Sequence, residues 1–187
     1  RSRFQNIFSE APELENPRNV MKKIAIFYGT VTGNTETVAR RINNQLIGMA
    51  DIMDIANVTI EDMNKYDFLF LGTSTYGIGD LQDDWEKFLP ALKKAGLSGK
   101  TVALFGLGDS VGHANTFVNG MGAIYWALQN SGCTIVGSCS TDGYSFIGSE
   151  ALAEGEFVGL PLDLDNEPRL TDSRIVHWLS GIIPYLQ

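Results

Sequence analysis

Cysteine is scarce in this chain: Cys133 and Cys139 are the only two. Their spacing fits neither a CxxC motif nor a disulfide framework, so they read as free, partly buried thiols in a reducing cytoplasm. Long apolar runs are missing too. None reaches the roughly 18 residues a membrane span requires, which predicts no membrane attachment. Positive charge is in short supply: 14 Lys and Arg stand against 22 Asp and Glu, a formal charge of −8. Phosphate contacts need a basic surface, so nucleic-acid binding is excluded. The groupings by which side chains alone do chemistry are also wanting. There is no Ser/His/Asp order, no cysteine beside a histidine and no metal-ligand spacing.

The rest is ordinary globular composition, 44% hydrophobic and 19% charged over 187 residues, enough for one domain with a full core. Residues 1–20 stand apart. They lack periodicity, carry Pro12 and Pro17, and end before Met21-Lys22-Lys23, which reads as a native start. They have no apolar stretch of a signal peptide, and Glu10, Glu13 and Glu15 speak against an organelle transit peptide. They are expected to be a vector remnant or an extension outside the functional core. Residues 21–187 are then the functional domain.

From Lys22 onward, apolar runs and helical stripes alternate. Ile24 to Tyr28 is a short apolar run stopped by Gly29, as in a strand buried on both faces. Over 35–47, Val38, Ile42 and Leu46 recur at helical spacing. Further strands are predicted at 51–55, 66–71, 101–105 and 134–140. Helices are predicted at 81–95, 116–130 and 175–185, the last capped by Thr171 or Asp172. This alternation implies an α/β fold: a doubly wound, five-stranded parallel sheet of order 2-1-3-4-5. Ligands of such sheets sit beyond the carboxyl ends of the strands, at the switch point. The loops to inspect therefore begin at Gly29, Gly72 and Gly106.

The first loop contains Thr30, Val31, Thr32, Gly33, Asn34 and Thr35, and joins a strand to a helix start. Free N–H groups and the helix dipole favour an anion there, and the hydroxyls add neutral donors. The loop has no lysine and does not match G-x-x-x-x-G-K-[ST], so a nucleotide-triphosphatase loop is excluded; GxGxxG is absent as well. A threonine-rich turn that merely caps a helix would look the same. The nearest cations, Arg40 and Arg41, come more than a turn later.

The segment IFYGTVTGNTETVA is similar to the phosphate loop of the flavodoxins, in which a T-x-T-G-N-T run wraps the phosphate of FMN. The resemblance continues from Met21 through TSTYGIGDLQDDWEKF, GLGDSVGHANTF, STDGYSF, FVGLPLD and LTDSRI. Residues 143–157 resemble the insertion that splits the fifth strand in long-chain members, with strand character returning at Val158. A structural role for the insertion is the default, and partner docking the alternative.

The resemblance implies that Ser74, Thr75, Tyr76, Gly77, Ile78 and Gly79 form a loop beside the flavin. It implies too that Tyr76 covers one ring face, where long-chain members usually carry tryptophan; an ordinary loop aromatic is the other reading. In that family the peptide after the aromatic residue turns its carbonyl toward the flavin N5, so the resemblance implies this role for Gly77-Ile78, helped by positive φ at glycine. Gly77 and Gly79 making a plain tight turn is the other reading. Leu107, Gly108, Asp109, Gly112, His113 and Thr116 form the third loop. Gly108 and Asp109 meet the pyrimidine edge through backbone, and His113 stands where a stacking tyrosine is usual.

Asp80, Asp83, Asp84 and Glu86 either serve a helix dipole or ring the flavin edge with negative charge. The function implied is a low-potential one-electron carrier, working on the semiquinone/hydroquinone couple of FMN. Its partners would be a reductase donor and an electron acceptor with basic surfaces, and the chain itself a cytoplasmic monomer. The alternative is an FMN-dependent NAD(P)H or quinone reductase of the same fold.

Overall fold

The computed structural model describes residues 21–187; the expectation for residues 1–20 lies outside them. The strands are β1 (Ile24–Gly29), β2 (Ala50–Asp54), β3 (Phe68–Tyr76), β4 (Asp80–Leu81), β5 (Thr101–Leu107), β6 (Thr134–Val136), β7 (Leu152–Ala153), β8 (Glu156–Phe157) and β9 (Leu160–Leu162). The helices are α1 (Asn34–Gln45), α2 (Ile60–Met63), α3 (Asp83–Lys94), α4 (Asn119–Ala127) and α5 (Thr171–Ile182).

The main sheet runs β2-β1-β3-β5-β6, with β1, β2, β3, β5 and β6 paired in parallel. This is the predicted order, with β5 as the fourth main strand. The fifth is split: β6 pairs with Thr101–Ala103 and β9 with Phe105–Leu107. The interruption is longer than 143–157, because β6 stops at Val136 and pairing resumes only at Leu160.

Alternation along the buried strands builds two cores. Ala25, Phe27, Leu69, Leu71, Val102 and Leu104 face Trp85, Leu92, Met121 and Ile124 of α3 and α4. Ile24, Ile26, Phe68, Phe70, Ala103 and Phe105 face Val38, Ile42, Ile175 and Trp178 of α1 and α5. A strand covered on both faces must be apolar at every position, which is why the runs read as continuous.

Local boundaries depart from the sequence reading where side chains intervene. β3 extends to Tyr76 because its end folds back on β4, with Thr75 level with Leu81 and Tyr76 with Asp80. Helix α4 begins only at Asn119, after a 3₁₀ turn (Ala114–Thr116) and a left-handed Val118. The short α2, not predicted, is fixed by a capping box in which Thr59 and Asp62 serve each other's backbone N–H groups. Neither Thr171 nor Asp172 caps α5; Leu170 holds that position without a side-chain bond. A 3₁₀ turn over Pro168–Leu170 runs straight into the helix, so the Thr171 N–H is already bonded to the Pro168 carbonyl.

Candidate functional site

Parallel pairing brings the carboxyl ends of β1, β3 and β5 level: Gly29 lies beside Thr73, and Ser74 beside Leu107. Three loops leave from this line. In the first, Thr30 Oγ1 accepts a bond from the Gly33 N–H at 3.0 Å. Gly33 then takes φ +87°, a conformation L side chains rarely adopt, and caps α1 without any side-chain bond. The first-turn N–H groups of α1 are therefore left without a side-chain cap.

Thr35 sits in that turn, fully buried, and its Oγ1 has no hydrogen-bond partner. Val31, Thr32 and Asn34 are exposed and Thr30 is half-buried. Arg40 is paired with Glu36 at 2.7 Å and Arg41 with Asp172 at 3.2 Å. An anion here meets neutral donors and the helix dipole.

The first loop is braced from behind by residues the sequence did not single out. Gln82 is buried at the start of α3; its Oε1 accepts from the Asp84 and Trp85 N–H groups, and its Nε2 donates to Asp84 at 2.8 Å and to the Thr30 carbonyl at 3.4 Å. Trp85 Nε1 donates to the Gly72 carbonyl at 2.8 Å. A glutamine and a tryptophan inside an amphipathic stretch give no sign of such a role until the sheet is assembled.

The second loop is the hairpin Tyr76-Gly77-Ile78-Gly79-Asp80, closed by the Gly79 N–H on the Tyr76 carbonyl at 3.0 Å. Gly77 takes φ +48°, and Ile78 stands 86% exposed at the tip. Tyr76 is half-buried and Ser74 Oγ is a second buried hydroxyl without a partner. Thr75 Oγ1 accepts from the Gly120 N–H at 3.0 Å, which ties this loop to α4.

The third loop is organised around Asp109. Its Oδ1 accepts from the N–H groups of Val111 at 3.0 Å and Gly112 at 2.7 Å, and from Asn166 Nδ2 at 2.8 Å. The Gly112 and Asn166 bonds hold its carboxyl below the usual range. Gly108 donates to the Leu162 carbonyl, beside Ser110 on Asp163. His113 is exposed, so its imidazole is not buried against the loops. The insertion straps the far side of this loop: Ile147 and Gly148 donate to the Ala114 carbonyl, and Ser149 Oγ to the Phe117 carbonyl at 2.6 Å.

Of the acidic group, Asp84 is bound to Gln82 and Lys87, and the Gln82 bond lowers its pKa. Asp80, Asp83 and Glu86 remain exposed. A broad groove of about 1720 Å³ lies elsewhere, beside β6, the β7–β8 hairpin and α5. On its wall, burial pushes the Cys139 thiol up to about 12, which keeps it protonated and unreactive.

An uncapped helix start, buried hydroxyls without partners and three converging loops at a switch point define a doubly wound α/β protein with a candidate anion site. Comparison with known proteins carries this further. The Flavodoxin family profile matches residues 26–178. The flavodoxin of Synechocystis sp. is 44% identical over 169 residues, 89% of this chain and 99% of that one. Flavodoxin 1 of Escherichia coli is 43% identical over 159 residues, 84% and 90% of the two chains. Fusobacterium nucleatum flavodoxin bound to flavin mononucleotide has a similar structure, with a TM-score of 0.85 at 32% identity over 89% of this chain and all of that one. The chain belongs to the flavodoxin family.

Proposed function

We propose that this protein holds one FMN non-covalently and passes single electrons from a reductase to an acceptor enzyme. The observation that carries this is the buried, unpartnered Thr35 hydroxyl in the uncapped first turn of α1. A buried hydroxyl without a partner costs free energy, and a phosphate would satisfy it together with the first-turn N–H groups. The residues present therefore fit the cofactor. When bound, the flavin supplies one-electron chemistry at low potential; the protein's part is to bind, orient and shield it.

In this reading Thr30, Val31, Thr32, Gly33, Asn34 and Thr35 cradle the phosphate. Tyr76 covers one ring face, with Ser74, Thr75, Gly77, Ile78 and Gly79 shaping the hairpin beside it. Leu107, Gly108, Asp109, Gly112 and Thr116 receive the pyrimidine edge, and His113 stands over the outer side. Exposed Asp80, Asp83 and Glu86 steer partners with basic faces. The protein works as a cytoplasmic monomer, with residues 1–20 outside the working domain. No helix among the described residues is long and apolar enough to cross a membrane.

The test is spectroscopic. The purified full chain is expected to be yellow, to release FMN on denaturation, and to be reduced by NADPH only when a reductase is added. Rapid bleaching by NADPH alone would instead identify a reductase.

A further inference from the structure

Two residues outside the three loops are built into the third one. Asp163 follows β9, is 1% exposed, and nothing in the electron-carrier reading uses it. Its Oδ2 accepts from the Ser110 N–H at 2.8 Å, the Ser110 hydroxyl at 2.6 Å and Asn166 Nδ2 at 2.8 Å. Its Oδ1 accepts from the Asp165 N–H at 3.1 Å and the Asn166 N–H at 2.9 Å. Asn166 Nδ2 also donates to Asp109 Oδ1 at 2.8 Å, so one amide joins two carboxylates.

A buried carboxylate is tolerable only when its oxygens are satisfied, and here the donors come from two separate segments. Folding stability alone does not call for this arrangement, since an apolar group of similar volume often does as well. What it achieves is geometric. Ser110 is held through backbone and side chain, and Asp109 is turned to accept from Val111 and Gly112. The Asn166 amide has two N–H groups, one for each carboxylate. An aspartate there would set three carboxylates against one another.

We propose that Asp163 and Asn166 are positioning residues of the flavin site, holding loop 108–113 in the shape that receives the ring. This rests on the reading that the third loop meets the flavin. A loop ordered in advance does not lose that freedom on binding, so the tether raises affinity without touching the ligand. Its effect falls on the ring, not on the phosphate.

The experiment compares full chains freed of flavin: wild type, Asp163→Asn, Asn166→Ala, and Asp165→Ala as a charge control that keeps the backbone donor. Dissociation constants for FMN and for riboflavin are read by fluorescence quenching, and ring orientation by visible circular dichroism. Asn166→Ala is expected to weaken both ligands by the same factor, about tenfold or more, and to change the dichroism of the bound flavin. Asp163→Asn is expected to do the same, and Asp165→Ala neither. Asn166 is exposed, so its variant serves even where Asp163→Asn fails to fold. Unchanged affinities and dichroism in Asn166→Ala would overturn the proposal, as would a loss confined to FMN. A wild-type chain that takes up neither flavin would instead overturn the reading of the site.

Discussion

Thr35 carries a hydroxyl that folding leaves unsatisfied: it is fully buried and has no partner. Valine has nearly its shape and no polar atom. In the flavin-free chain, Thr35→Val is expected to raise stability by about 1 kcal/mol, since the unmet group costs roughly 1–3. FMN affinity should move the other way, falling roughly ten- to hundredfold for a lost bond to a charged group. Riboflavin, which has no phosphate, should bind as before. Thermal unfolding and paired titrations check the opposite signs. Gly77 makes a second residue-scale case. At φ +48° a valine is strained by roughly 1–2 kcal/mol, which for a chain of this length is about 2–4 °C of Tm per kcal/mol. The Cβ itself meets only Asp80 Oδ2 at 2.8 Å, the end of a side chain that can swing away. Gly77→Val should therefore lower Tm through backbone strain, and Gly77→Asn, which tolerates the left-handed region better, should lower it less.

At the scale of the element, the connection after β9 is held by charge. Burial raises the Asp163 pKa, but the bonds from Ser110 and Asn166 outweigh it and the net shift is downward. A carboxylate depressed in the folded state stabilises it above its unfolded pKa, near 3.9, and loses that contribution as pH falls through the folded value. Asp109 is shifted the same way by Gly112 and Asn166. Stability should thus fall as pH drops below about 4, the unfolded value, and on through the depressed folded values. In Asp163→Asn that fall should be shallower, with a lower starting point at pH 6. Melting curves across this range check both. Arg174 clamps the same connection, pairing with Glu167 at 2.6 Å, donating to the Gly143 carbonyl, and lying 4.0 Å over the Tyr144 ring.

For the whole molecule, the proposed steering draws on a formal charge of −8 and on Asp80, Asp83 and Glu86, which stay exposed beside the second loop. Transfer to a partner with a basic face should slow as salt rises, because the screening length falls from about 30 Å at 0.01 M to about 10 Å at 0.1 M. Asp80→Asn with Asp83→Asn should flatten that dependence. Asp84→Asn should do less, since Asp84 is already bound to Gln82 and Lys87. Stopped-flow rates across salt concentrations, compared between these variants, test the assignment of the docking face.

Much of this architecture was legible along the chain, because buried parallel strands must be apolar at every position and amphipathic helices must repeat near 3.6. The order of the main strands, the split fifth strand and the three glycine-led loops follow from those periods and from the resemblance they support. Contacts between distant segments were not legible. Gln82 beneath Thr30, Asn166 between Asp109 and Asp163, and the insertion on Ala114 pair residues whose types are common in any loop. At α5 neither Thr171 nor Asp172 takes the N-cap that the sequence pattern suggests, because the preceding turn already bonds the Thr171 N–H. By itself the sequence determined the five main strands and the longer helices, and where an anion could sit, since these depend on local pattern and backbone chemistry. Only the tertiary structure decided which hydroxyls are left unsatisfied and which carboxylates stay exposed, because burial and pairing are properties of the assembled chain.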